Sequence, residues 1–483
     1  MIPVVRTGLQ IKPDCARVVF RPFYPGNDTR VMKIMARVLS LTDSEVSELL
    51  KSVLKEFNGR HFHAEAFYLK RYEAMKGFAL TDIMPSRERQ LLIGAFFTNE
   101  YSLESAALFN PSMVWHPDQE GLPKGTRRFI LSLRATGEGH LSSITFRSGT
   151  IDAKNQIVLD APSRWATMPE VVPDANYEKR LFEQKLVEMK HIDLLATEVM
   201  EDLEDNFSFE QLQTSLKNIE RRHRDLYVDG KQTIRGILLL AQSNYEVSFE
   251  LEQQLSERII FPHSPTETNG IEDARFVQFT EEDGSQCYYA TYSAYDGRVV
   301  LPQMLQTDDF THFKLNTLNG PEAQNKGMGL FPRRINGNYA MISRQDGENI
   351  YIMFSDNLHF WHSKELLIKP SYPWEYIQLG NCGSPIETDE GWLLLTHGVG
   401  AMRKYSIGAV LLDKDDPRKV IGRLKEPLLS PDANEREGYV PNVVYSCGGA
   451  IHNNMLILPY AMSDYASSIA LVPLKELFAA LKS

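Results

Sequence analysis

Apolar residues follow two different rhythms along this chain. In LTDSEVSELLKSVLKEF, residues 41–57, Val46, Leu49, Leu50, Val53, Leu54 and Phe57 recur at helical spacing, and Thr42 or Asp43 can cap the first turn. A second helical pattern with mixed charges runs from about residue 175 to 224, through NYEKRLFEQKLVEMKHIDLLATEVM and SFEQLQTSLKNIERRHR. Its solvated faces predict a scaffold layer that is a candidate for contacts between copies of the chain.

Elsewhere the apolar runs are short, and turn residues bound them. A strand, a turn and a second strand recur in units beginning at Pro111, Arg275, Arg333, Pro385 and Asn442. The last four units start 58, 52 and 57 residues apart, whereas the first two are separated by 164 residues that contain the helical block. The turn signals EDG, NG, DEG and HNN fall between the paired runs of the later units. This spacing predicts an all-β core, a five-bladed β-propeller carrying a helical N-terminal extension and a helical insertion. The expected division is an extension over 1–90, a first blade over 91–170, the insertion over 171–245 and the remaining blades over 246–483.

In such a ring, equivalent positions of successive units converge on one axis. The starts of the first strands are Asn110, Asp273, Pro332, Ser384 and Asn442, and the ends of the second are Arg134, Tyr292, Arg344, His397 and Asp464. Acids, arginines, a histidine and amides brought together make a site for sugar-like chemistry with room for an anion. In NGIEDARF, neighbouring strand side chains point to opposite faces, so only one of Glu272 and Asp273 is expected to face a given cleft. Asp273 reads as a general acid offset by an arginine, or as a turn acid paired with Arg275. Glu272 reads as a side-wall neighbour gripping hydroxyls, or as a structural ion-pair partner. Arg134 and Arg344 can offer forked donors to phosphate or sugar oxygens, and the glycines after His397 allow backbone to approach a ligand. Taken singly, such arginines are ordinary surface residues and such a histidine an ordinary core residue; their shared register is what singles them out.

Composition narrows the classes. The 483 residues carry a formal net charge of -11, which disfavours nucleic acid or an anionic membrane as partner and requires a local basic pocket for any anion. The N-terminus lacks signal-peptide order and no run is long enough to span a bilayer, so a cytoplasmic location is expected. Cys15, Cys287, Cys382 and Cys447 lack metal or disulfide spacing and read as reduced thiols. No metal ligands are assigned. Cys382 in the glycine-rich GNCGSPIE has no base beside it in sequence and reads as a buried thiol.

At these residues the chain resembles glycoside hydrolase family 130, inverting β-mannoside phosphorylases and β-1,2-mannosidases built on five-bladed propellers. FNPSMV (109–114), GIEDARF (270–276), NKGMGLFPRRINGNYAMISRQ (325–345), GNCGSPIETDEGWLLLTHGV (380–399), YSIGAVLLDKDDPRKVIGR (405–423) and GYVPNVVYSCG (438–448) carry the resemblance. Residues 1–90 and the helical block match a longer-chain branch. The resemblance implies that Asp273 is the catalytic acid, passing its proton to the glycosidic oxygen through a mannose hydroxyl, while inorganic phosphate attacks the anomeric carbon. It implies that Arg134, Arg344, His397 and Tyr405 hold phosphate, with Gln378 where a lysine is expected. Asn110, Glu272, Arg275, Asn442 and Asp464 would line the sugar subsites. The missing lysine weakens anion binding by about 1.5–3 kcal/mol if uncompensated. Hydrolysis is the competing reaction, with Glu387, Glu435, Glu437 or Asp464 as the base about 6.5–9.5 Å from the acid, although the family's hydrolases lose the basic cluster that this chain mostly keeps. A non-catalytic glycan-binding propeller is the third reading. The expected activity is phosphorolysis of β-mannosides, above all β-1,2-oligomannosides, with no other cofactor.

Overall fold

A computed structural model of the chain describes residues 2–57, 59–172, 176–223 and 228–483. Among the described residues the molecule is mostly antiparallel sheet, with α-helices within 28–96, within 179–242 and at Leu474–Leu481. Sheet one contains Ala107–Trp115, Arg127–Thr136 and Ser142–Ile151, with Ile259–Ile260 on its outer edge. Sheet two contains Ile271–Thr280, Gln286–Tyr295, Val300–Thr307 and His312–Thr317, extended by Tyr245–Ser248 and Glu170–Val172. Sheet three is Gly329–Leu330, Tyr339–Ser343, Ile350–Ser355 and Glu365–Ile368. Sheet four is Gln378–Asn381, Gly391–Val399, Tyr405–Leu412 and Val420–Arg423. Sheet five is Val444–Tyr445, Met455–Met462 and Ala466–Pro473, completed by Val5–Arg6.

The central strands are buried on both faces, which explains their nearly continuous apolar runs. Apolar seams join successive sheets. Ile130 and Phe146 meet Phe276 and Leu305 between sheets one and two, and Phe279 and Tyr289 meet Leu330 and Met341 between two and three. Ile342 and Ile352 meet Trp392 and Val410 between three and four, and Leu395 and Ile407 meet Val444 and Leu458 between four and five. Leu108 and Leu131 meet Ile457 and Ile469 between five and one. Burying such side chains supplies roughly 1.5–3 kcal/mol each.

The expected boundaries need adjustment where strands come from distant segments. The first sheet begins at Ala107 rather than 91, because Arg87–Phe96 is helical and Thr98–Ser102 pairs with Val18–Pro22 of the extension. Its outer strand, Ile259–Ile260, comes from beyond the insertion. The extension is also stitched into the core, since Val5 and Arg6 pair with Leu471 and Ala470. Thr42 is the cap of helix Asp43–Phe57: its hydroxyl accepts from Glu45 N at 3.3 Å while Glu45 reaches back to Thr42 N at 2.7 Å. Leu49, expected on the packed face, is 38% exposed.

The insertion contains Lys179–Glu188, Leu194–Glu201, Phe209–Arg222 and Val228–Gln242, around a core that includes Phe182, Leu186, Val199, Leu216 and Ile237. The expected ends of its helical pattern, 175 and 224, lie outside the described residues. Its flanking strands pair with each other, Val172 opposite Glu246, so the whole insertion hangs from the outer edge of sheet two. Among the described residues no helix is long and apolar enough to cross a membrane.

Candidate active site

The expected alternation of Glu272 and Asp273 fails, for a backbone reason. The pairing of Ile271–Thr280 with Gln286–Tyr295 slips between Glu272 and Arg275, and Asp273 has φ 54°. A bulge of this kind turns two successive side chains toward one side. Arg134 consequently meets both acids, through NH2 to Glu272 Oε1 at 2.8 Å and NH1 to Asp273 Oδ1 at 3.4 Å. Asn110 and Asn442 share the left-handed conformation, with φ 50° and 64°, so three of the five expected first-strand positions carry the same kink.

Around Asp273 the side chains are linked to one another, although Asn110 Oδ1, Arg134 Nε and Arg275 Nε are buried without a partner. Asn110 Nδ2 donates to Asp273 Oδ1 at 2.6 Å, and Lys326 Nζ lies 3.5 Å from Glu272 Oε2. Arg275, expected to face a sugar, is only 2% exposed and lies behind the acid. Its NH1 donates to the Asp273 carbonyl at 2.9 Å and its NH2 to Tyr445 Oη at 2.6 Å, so it braces the kink rather than pairing with the Asp273 carboxyl. Burial acts to raise the Asp273 pKa, but Arg134, Arg275 and Lys326, with the Asn110 hydrogen bond, outweigh it and hold the carboxyl at about 2. Asp464, at φ 50° in the turn after Met455–Met462, moves the other way. Burial and the charge of Asp273 push it up to about 6, against Arg134 and Arg403. The two carboxyl groups therefore titrate in different ranges: Asp273 stays ionised throughout the neutral and mildly acidic range, whereas Asp464 takes up its proton as pH falls through about 6.

The second group of residues is basic. Arg344 is 7% exposed, and its Nε is buried with no hydrogen-bond partner. Two glycines make room for it: a Cβ on Gly327, whose φ is 91°, would lie 2.5 Å from Arg344 Nε, and one on Gly380 would lie 3.0 Å from Arg344 Cδ. The same Gly380 Cβ would be 2.5 Å from His397 Cε1, so the guanidinium and imidazole flank one glycine. Gln378 Nε2 is 3.4 Å from His397 Nε2, and the Tyr405 and Tyr445 ring centroids lie 6.1 and 4.8 Å from the imidazole. Burial, then Arg344 and Arg275, push the His397 pKa well below its ordinary value, so the imidazole is neutral. Cys382 Sγ comes within 4.0 Å of His397 Nδ1, a base that the sequence did not place beside it. Burial nonetheless lifts this thiol to about 12, which leaves it protonated.

Not every expected position joins these groups. Tyr292 is turned into the core and donates to Glu267 at 2.9 Å. Asn442 Oδ1 is occupied by Arg436 Nε at 2.6 Å, and its carbonyl receives Tyr405 N at 3.0 Å. Of the bases considered for hydrolysis, Glu387 is paired with Arg333 and Lys414, Glu435 with Arg6 and Tyr460, and Glu437 is exposed. Only Asp464 sits within the acid cluster. Sequence reasoning missed Lys326 and Tyr445, although both lie inside stretches that it singled out, NKGMG and NVVYSCG. Among the described residues no group of three His, Cys, Asp or Glu side chains is placed to hold a metal ion.

Antiparallel sheets that bring a carboxyl cluster beside a buried basic pocket define the class, a carbohydrate-active enzyme. The chain belongs to glycoside hydrolase family 130: the family model described as beta-1,4-mannooligosaccharide phosphorylase matches residues 206–483. A 1,2-beta-oligomannan phosphorylase of Thermoanaerobacter sp. (strain X514) is 36% identical over 232 residues, 46% of this chain and 75% of that protein. A beta-1,2-mannobiose phosphorylase of the same strain is 34% identical over 237 residues, covering 48% and 75%. A solved beta-1,2-mannobiose phosphorylase from Listeria innocua, in complex with beta-1,2-mannobiose, aligns at TM-score 0.47 and 22% identity over 79% of this chain and 93% of that one. Asn110 and Arg134 precede the residues matched by the family model, yet they contact Asp273 within them.

Proposed function

We propose that this enzyme catalyses inverting phosphorolysis of β-mannosides, with β-1,2-oligomannosides as substrates and α-mannose 1-phosphate as product. The observation that carries the reading is the buried basic pocket. Arg344 keeps an unpartnered Nε beside neutral His397 and Gln378, a desolvated donor set without a protein carboxylate to satisfy it. Inorganic phosphate suits that donor set, and Tyr405 stands at its edge. The relatives' names, oligomannan and mannobiose phosphorylases, agree with this chemistry. The five sheets with their five apolar seams support a closed five-bladed propeller.

Asp273 is the general acid in this reading. Its carboxyl is ionised in the free protein because Arg134, Arg275 and Lys326 neutralise it. A phosphate dianion arriving in the basic pocket offsets part of the charge of Arg275, which reaches from Asp273 to Tyr445, and this raises the Asp273 pKa and lets it hold a proton. The proton then passes through a mannose hydroxyl to the leaving oxygen as the C1–O bond breaks. Phosphate oxygen forms the new bond to C1 from the opposite face, and the proton carried by hydrogen phosphate returns to Asp273. Asn110, Glu272 and Asp464 line the sugar pocket, with Asn442 at its edge, while Arg275 positions Asp273.

Hydrolysis is less well supported, because Glu387, Glu435 and Glu437 are engaged or exposed away from the cluster and Asp464 alone of the four candidates remains as a base, while the basic pocket has no role in attack by water. Incubating the enzyme with β-1,2-mannobiose, with and without phosphate, decides between the reactions. Phosphate-dependent mannose 1-phosphate is the expected product. Free mannose released at the same rate in both reactions would make the enzyme a hydrolase, and no turnover of any mannoside would make it a binding protein.

A further inference from the structure

Two exposed rings lie on segments that adjoin Arg134 and Asp464 of the acid cluster, and neither enters the chemistry described so far. The turn joining Arg127–Thr136 to Ser142–Ile151 begins three residues after Arg134. Gly139 and His140 in this turn both have positive φ, 68° and 60°, and the His140 side chain is exposed. Its ring packs against Tyr439 with centroids 5.3 Å apart at 32°, and Tyr439 remains 62% exposed. The pair bridges the rims of sheets one and five.

The segment that presents Tyr439 is held at several points. Glu435 is buried and accepts from Arg6 and from Tyr460 Oη at 2.6 Å, while Ser463 Oγ donates to the Glu435 carbonyl at 2.7 Å. Val440 N donates to Ser463 O at 3.1 Å, and a Cβ on Gly438 would lie only 2.4 Å from that same oxygen. Tyr439 is thereby fixed beside the turn that carries Asp464 and three residues before Asn442. Rigid aromatic rings bind at small entropic cost, and their apolar faces with polar edges match the C–H face and hydroxyl rim of a hexose.

We propose that His140 and Tyr439 form a sugar-stacking platform at the mouth of the pocket. It takes mannosyl units of the leaving chain beyond the one joined by the scissile bond, and so favours longer β-mannosides over the disaccharide. The platform rests on the reading of the pocket as a mannoside site. With the terminal mannose at Asp273, the rest of an oligosaccharide must leave past the hairpin tips, where these rings stand. A disaccharide has no such further unit.

The test compares kcat/KM for phosphorolysis of β-1,2-mannobiose, mannotriose and mannotetraose by the full-length enzyme and its Tyr439→Ala, Tyr439→Phe and His140→Ala variants. The wild type should favour the longer substrates. The alanine variants should lose about two- to tenfold on them and change less than about twofold on mannobiose, the range expected for an aromatic contact. Tyr439→Phe should keep the preference for length. Equal losses on all substrates, or a wild type indifferent to length, would overturn the platform while leaving phosphorolysis in place. Calorimetric binding of mannotetraose without phosphate reads the same contact independently of turnover: affinity unchanged by Tyr439→Ala would also overturn it.

Discussion

Gln378 occupies the position where the resemblance calls for a lysine, which makes Gln378→Lys a direct probe of the anion pocket. Its amide nitrogen is 3.4 Å from His397 Nε2, and the imidazole is kept neutral by burial together with Arg344 and Arg275. An ammonium there would add one charge-assisted hydrogen bond to a bound phosphate, worth about 1.5–3 kcal/mol. Gln378 is only half-buried and lysine loses rotamer freedom, so the lower end of the range applies, corresponding to about a tenfold fall in KM for phosphate. Without phosphate the same ammonium lies at a half-buried position near the Arg344 guanidinium, and the variant should be less stable by about 1 kcal/mol, a Tm loss of about 2 °C. Phosphate should restore Tm more in the variant than in the wild type, because tighter binding stabilises the folded state more. Initial rates over a phosphate series and thermal melts with and without phosphate measure both effects. A KM unchanged within about twofold, with identical melts, would refute the placement of phosphate beside His397.

Asp273→Asn should lower turnover by about 10²–10⁴-fold with an unaltered circular dichroism spectrum, as expected when a general acid is replaced by an isostere that cannot donate the proton. Gly380→Ala should abolish activity and lower Tm, since its Cβ would sit 2.5 Å from His397 Cε1 and 2.8 Å from Nε2; a fully active variant would mean that this packing is wrong. Asp464 has a folded-state pKa raised to about 6, so its proton favours folding at low pH and that contribution is lost as pH rises through about 6. Asp464→Asn should therefore be more stable than the wild type at pH 8 by about 2 kcal/mol and equal to it near pH 4, as read by denaturant unfolding at both pH values. His397 gives the opposite slope: with its folded pKa depressed, its contribution is present above the ordinary histidine value and lost as pH falls below it, and His397→Gln should flatten the wild type's stability loss between about pH 6.5 and 5.

The sheets were legible because the turn signals were accurate. EDG, NG, DEG and HNN lie between strands that the structure pairs or aligns within one sheet. Strand exchange was not legible: Val5–Arg6 and Ile259–Ile260 are two-residue strands, too short for any periodicity, and only the finished sheet edges call for them. The convergence of Asn110, Arg134 and Asp273 was readable from register alone, whereas the orientation of Glu272 was not. Alternation assumes regular pleating, and the left-handed Asp273 breaks it at the one residue where the direction mattered. Arg275 was misjudged for a related reason, because its spacing from Asp273 places it near the acid but does not say that it satisfies a carbonyl from behind.

That bracing also bears on how the two groups of residues communicate. Arg275 touches both: its NH1 holds the Asp273 carbonyl, and its NH2 holds Tyr445, whose ring lies 4.8 Å from His397. The charge of Arg275 lowers the pKa of Asp273 and of His397 alike. One buried guanidinium thus helps Arg134 keep the acid ionised and helps burial and Arg344 keep the imidazole neutral. An anion in the basic pocket weakens both effects, since opposite charge nearby favours the protonated imidazole and, by drawing on the same cations, the protonated acid. The acid would then be charged with its proton only when the nucleophile is present, which protects the glycosidic bond from protonation while no phosphate is bound.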